Sequence, residues 1–177
     1  MTQRRIAAAF ISILLILALG GCSFSPSARE RAEKSAASAI NSLAVNLKDK
    51  VPAERIGFPL TRDDFVDVRI SFFEERSWPP ADDRVLRGGT PTVYQSTGSG
   101  TRSEITFGLY QGASVTSVFT TSANIYGCAE LSLTIDRRVQ LRNVICPDWI
   151  AGLLAQSSPQ LVDLEEVLTA RKGTTTW

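Results

Sequence analysis

Residues 93–146 alternate apolar and polar side chains, and the breaks between the alternating runs are too short to hold a helical crossover. PTVYQS leads into TGSGTRS, which reads as a flexible turn. EITFGLY puts Ile105, Phe107 and Leu109 on one side, Gln111-Gly112 reads as the next turn, and SVTSVFTTS continues with β-branched residues. Parallel strands need connections of a dozen or more residues, so runs this close must pair antiparallel, as a meander. Upstream, FVDVRISFF alternates Val66, Val68, Ile70 and Phe72 and predicts a further strand, for about five in all.

Helical spacing flanks this region. Over residues 28–47, Ala36, Ile40, Leu43 and Leu47 recur at i, i+4, i+7 and i+11, and Glu30 and Lys34 stand one turn apart on the exposed side. Residues 147–156 predict a short helix carrying Trp149, Ile150, Leu153 and Leu154. Ser158 then reads as the cap of a second, with Pro159 at its first position, a stripe of Leu161, Leu164 and Leu168, and Lys172-Gly173 at its end. The final TTTW is expected to fray. The fold class that follows is α+β: an N-terminal amphipathic helix, an antiparallel meander of about five strands, and C-terminal helices. This order of elements resembles small cystatin-like and nuclear-transport-factor-like domains, and in part the PsbP-like lipoproteins. The likeness is of fold alone, and no function follows from it.

The N-terminus carries an address. Residues 6–19 are apolar except for Ser12, and a helix of that length covers roughly 21 Å of a hydrocarbon core of about 30 Å, too little for an ordinary span. Arg4 and Arg5 lead in and small residues close the run, the layout of a secretory signal peptide. Leu19-Gly20-Gly21-Cys22 resembles the lipobox of bacterial lipoproteins. That resemblance implies cleavage before Cys22 and a diacylglyceryl group on its sulfur. Residues 1–21 are then signal peptide, 22–28 a short tether, 29–172 one globular domain and 173–177 a loose tail. The tether reaches at most about 20 Å, so whatever the domain binds lies near the membrane.

With Cys22 assigned to lipid, Cys128 and Cys146 remain, and an exported pair is expected to close into a disulfide. IYGCAELSLTIDRRVQLRNVIC reads as two strands around Asp136-Arg137-Arg138. If Ile135 faces Val139, Leu133 meets Leu141 and Cys128 falls opposite Cys146, at a separation a disulfide bridges. Leu131, Leu133, Ile135, Val139 and Leu141 then share the core face, and Ser132, Thr134, Gln140 and Arg142 share the other with the cysteines. A longer loop with shifted register would take the cysteines out of direct opposition.

Nineteen basic residues against 18 acidic ones, without clustering, leave no footprint for nucleic acid. The chain has no histidine, which excludes Ser-His and Cys-His nucleophile pairs and histidine metal sites. No Ser-x-x-Lys motif follows Cys22, and no cofactor motif is present. Carboxylates are left as candidate acids and bases: Asp63 and Asp64 before the FVDVRISFF run, Glu74 and Glu75 after it. Such pairs at strand ends are ordinarily solvated charges. RSWPPADDRVLRGGTPT is dense in proline, glycine and charge, a long loop of the kind that is functional or mobile. Trp78 within it is the candidate anchor for a partner, against a plain role closing the edge of the core.

The expected function is that of a lipid-anchored binding or adaptor domain on the extracytoplasmic face of the cell membrane, contacting an envelope protein, without catalysis and without a cofactor. The alternative is a carrier holding a small apolar ligand in a cavity between sheet and helices. A carboxylate hydrolase acting on wall polysaccharide is a third reading. Tyr94, Tyr110, Phe119 and Tyr126 on one concave surface would favour the carrier, and an open polar sheet would favour the partner.

Overall fold

The computed structural model describes residues 26–65, 68–72, 88–116, 119–154 and 158–177. Cys22, Val66, Glu74, Glu75, Trp78 and Gln156 lie outside the described residues.

Helix α1, Ala28–Lys50, opens with a capping box. The Ser27 hydroxyl accepts from the Glu30 backbone N–H at 3.1 Å, and the Ser27 N–H donates to the Glu30 carboxylate at 2.6 Å. Glu30 therefore turns back to the cap instead of reaching forward to Lys34. Ala32, Ala36, Ile40, Leu43 and Leu47 are buried along one face, as their spacing predicts. After α1 two short 3₁₀ turns, Ala53–Arg55 and Arg62–Asp64, lead to strand β1, Ser71–Phe72.

The sheet continues as β2 (Thr92–Ser99), β3 (Arg102–Thr116), β4 (Thr120–Thr134) and β5 (Val139–Val144), in the spatial order β1-β2-β3-β4-β5. α1 packs on its inner face, where Ile105, Phe107, Leu109, Leu131, Leu133, Val139 and Leu141 are all buried. Fully burying one such side chain contributes about 1.5–3 kcal/mol, so this helix-on-sheet layer carries most of the stability.

The sheet is mixed rather than purely antiparallel. β1 runs parallel to β2, as their long connection over residues 73–91 permits. Of the long strand expected in FVDVRISFF, only Ser71–Phe72 is paired among the described residues. Gln111-Gly112 is not a turn, because β3 runs through it with Gly112 opposite Asn124. A Cβ at Gly112 would lie 2.8 Å from Asn124 Oδ1, so this glycine relieves a cross-strand contact and reverses nothing.

The β4–β5 register also differs from expectation. Thr134 N–H donates to Arg138 O at 3.0 Å, Arg137 N–H donates to Thr134 O at 2.9 Å, and Arg137 is left-handed with φ 62°. This is the three-residue hairpin over 135–137, a turn closed by one left-handed residue. Leu133 therefore faces Val139 and Cys128 faces Val144. Ile135, expected in the core, is 63% exposed at the turn. A tertiary contact accompanies this turn: the Arg137 guanidinium donates to the carbonyls of Lys48 (3.1 Å) and Val51 (2.5 Å) and so caps the C-terminus of α1. The disulfide forms all the same. β5 ends at Val144, the chain turns at the exposed Ile145, and Cys146 comes back to a Cα–Cα distance of 5.1 Å from Cys128.

Helix α2, Asp148–Leu154, follows, then β6, Gln160–Leu161, which pairs parallel with β4 at Ile125 and Tyr126. Ser158 and Pro159 thus lead into a strand and not a helix, and Leu161 is exposed. Helix α3, Leu164–Lys172, starts later, with the Asp163 carboxylate accepting from the Glu166 N–H, and it buries Leu164, Val167 and Leu168. It ends on Gly173 at φ 73°, the left-handed cap foreseen in the sequence. The tail expected to fray is paired instead. Leu141 N–H donates to Thr175 O at 2.9 Å, and Trp177 N–H to Val139 O at 3.0 Å. β5 had an open edge, and the last residues satisfy it.

Candidate functional site

The outer face of the sheet, opposite α1, has two unlike halves. In the first, Tyr94, Tyr110, Tyr126, Val144, Cys146 and Trp149 gather around the buried Cys128, Ile150 and Leu154. A β-bulge between Val93 and Gln95 shifts the register at Tyr94, and its ring meets Trp149 edge-on at 5.7 Å. Burial, with the Glu130 carboxylate nearby, pushes the Tyr94 phenol up to about 12, so it stays protonated at neutral pH. Three of the four aromatic residues named above are therefore brought together. They pack with Trp149 of α2 and with the disulfide against Cys128, Ile150 and Leu154. Phe119 is elsewhere, 79% exposed at the far end of β4.

The second half is polar, with Arg102, Gln140 and Arg142 exposed and Ser132 buried among them. Thr97, Glu104, Ser132 and Gln140 form one cross-strand row from β2 to β5, and Gln95, Thr106, Glu130 and Arg142 form the next. One Arg142 nitrogen donates to both Glu130 oxygens, at 3.0 and 3.1 Å. Arg102 meets Glu104 at 2.7 Å and Glu130 at 3.8 Å. Glu130 is thus held between two arginines, while the Arg142 side chain remains 68% exposed. These alternating charges contribute little to stability in water, but they present a patterned surface to a partner. The expected register hid the Glu130–Arg142 pair by placing Val144 opposite Glu130. The signal was present in the sequence as two opposite charges at equal distance from Asp136.

Of the acidic pair Asp63 and Asp64, Asp64 serves the fold. Arg55 grips its carboxylate at 2.7 and 2.9 Å, and the Thr61 N–H donates to it at 2.7 Å. Burial alone would raise its pKa, but the Arg55 ion pair and the Thr61 hydrogen bonds outweigh that and hold it below the ordinary carboxylate range. A carboxylate held ionised at neutral pH by partners on two sides is poorly suited to passing protons.

Two clefts lie along α3. One, about 230 Å³, is lined by Arg29, Glu33, Val162 and Glu166, and the other, about 430 Å³, by Asp163, Glu165 and Thr169. Glu33 bridges the first, accepting from Arg29 at 2.8 Å and Arg171 at 2.7 Å. Among the described residues no group of three or more acidic or cysteine side chains is placed to hold a metal, and no helix is long and apolar enough to cross a membrane. Compared with protein-family models, curated proteins and solved structures, the chain matches none. The site therefore has to be read from its own chemistry.

Proposed function

We propose that this chain is a lipid-anchored binding domain of the bacterial cell envelope, held at the extracytoplasmic face of the membrane through Cys22, and that it docks a membrane-proximal protein on the polar half of its outer sheet face. The observation that carries the reading is the charge ladder of Arg102, Glu104, Glu130 and Arg142, whose arginines are exposed, beside the uncharged Thr97 and Gln140. Flat polar surfaces with fixed, alternating charges give specificity and register to protein docking. Trp78, in the segment joining β1 to β2, remains the candidate aromatic anchor for the partner.

Two further facts lend support. The Cys128–Cys146 disulfide fits an oxidising, extracytoplasmic compartment. The space between α1 and the sheet, where a carrier would hold its ligand, is occupied by Ile40, Leu43, Ile105, Phe107, Leu131 and Leu133, each fully buried. The reading involves no catalytic step and no cofactor.

Native mass spectrometry of the detergent-extracted protein tests it. The expected spectrum shows an acylated chain beginning at Cys22 and a companion protein. A photo-crosslinking residue at Gln140 captures that companion, and one at Ser38, exposed on α1, does not. An unmodified Cys22 would end the anchor reading. A retained mass of a few hundred daltons without a companion would establish the carrier in its place.

A further inference from the structure

β3 and β4 outrun the rest of the sheet. β2 leaves β3 at Thr92, opposite Gly108, and β5 leaves β4 at Val144, opposite Cys128, whereas the β3–β4 ladder continues to Thr116 opposite Thr120. β6 covers β4 at Ile125 and Tyr126. The first turn of α1 stands at this level, since Arg29 donates to the Gln160 side chain at 2.9 Å and Gln160 is in register with Ile125. Phe119 lies six residues beyond Ile125 along β4, so the two-stranded arm projects about 20 Å past the start of α1.

The arm has an unusual composition. No charged residue stands between Glu104 and Glu130, and Ser114, Thr116, Thr120, Thr121 and Ser122 are exposed along it. Phe119, 79% exposed, stands at its end. Exposed strand edges are ordinarily guarded by charged side chains, and this one is not. A phenyl ring suits the boundary between headgroups and acyl chains, and an arm without charged side chains can approach the hydrocarbon, where ions are costly.

Position points the same way. The chain leaves α1 through Ser27, and five residues from there to Cys22 span at most about 17 Å, so an anchor at Cys22 keeps the start of α1, the end from which the arm projects, near the membrane. We infer that the β3–β4 arm rests in the membrane interface with Phe119 among the lipids, making a second contact that fixes the orientation of the domain. This rests on the reading that Cys22 is acylated. Insertion is confined to the end of the arm, because deeper strands would carry unpaired edge groups into hydrocarbon. The opposite end, at the Gly100 turn, then points away from the bilayer.

The acylated protein reconstituted into phosphatidylethanolamine–phosphatidylglycerol vesicles tests both statements separately. Flotation with the vesicles reports the anchor, and failure to float would overturn the anchor and the arm together. In the floating protein, Phe119→Trp is expected to add a blue-shifted emission that brominated lipid quenches, while Thr97→Trp at the opposite end adds emission that it does not. Flotation with equal, weak quenching at both positions would overturn the arm and leave the anchor standing.

Discussion

Trp177, the last residue of the chain, donates its indole N–H to Asn41 Oδ1 on α1 at 3.0 Å, while its backbone pairs with Val139 on β5. One residue thus joins the C-terminus to both layers of the fold. Trp177→Ala is expected to destabilise the domain by about 2 kcal/mol through lost burial and an orphaned amide. Asn41→Ala, which removes only the hydrogen bond, should cost about 1 kcal/mol. Urea unfolding of both variants measures this, and a Trp177→Ala midpoint equal to that of the parent would show that the tail adds nothing.

The Cys128–Cys146 bridge spans 18 residues of sequence across the β5–α2 bend. Constraint of the unfolded chain predicts a loss of about 3 kcal/mol in the Cys128→Ala, Cys146→Ala double variant. Denaturation of the oxidised parent with and without reductant gives the same comparison without substitution. If the two curves coincide, the bend at Ile145 holds by its packing alone.

Asp64 makes the stability depend on acid. Burial opposes its ionisation, but the Arg55 ion pair and the Thr61 hydrogen bonds prevail, so its folded pKa lies below its unfolded value of about 3.9. A lowered folded pKa gives a contribution fully present above the unfolded value and lost as pH falls through the folded one. Asp64→Asn should therefore be less stable than the parent at neutral pH and converge with it in strong acid. Parallel stability profiles down to the lowest pH would remove Asp64 from this role.

Gly127 on β4 faces the chain entering α3, where an added Cβ would stand 2.6 Å from Val162 O and 2.7 Å from Leu164 Cγ. Gly127→Val forces β6 and α3 away from β4 and is expected to cost about 1–3 kcal/mol. Hydrogen exchange locates the effect: the Val162 N–H, which donates to Tyr126 O at 2.8 Å, should lose protection first. Uniform loss over the whole sheet would place the strain elsewhere.

Periodicity alone assigned α1 and its buried face, the strand content of residues 92–144, and the apolar partners Leu131, Leu133, Val139 and Leu141, because each of these depends on which side of one element faces the core. The Cys128–Cys146 pairing was legible because these two cysteines were left over in a chain read as exported, close in sequence on either side of a hairpin. Gly112 was misread because a glycine that spares a cross-strand neighbour looks, in sequence, like a glycine that turns the chain. The Ser158-Pro159 start failed because β4 had an edge at Ile125 for residues 160–161 to pair with, and an edge is not visible in the segment that fills it.

The candidate site divides along the same line. The alternation by itself determined that Ser132, Gln140 and Arg142 share one face, since side chains along a strand point to opposite sides in turn. Only the tertiary structure decided which charges meet on that face. The register was settled by a left-handed Arg137 whose guanidinium caps the distant α1, and that choice opposed Glu130 to Arg142. Local periodicity is written residue by residue in the chain, whereas register, edge pairing and the fate of the C-terminus depend on contacts between segments far apart in sequence.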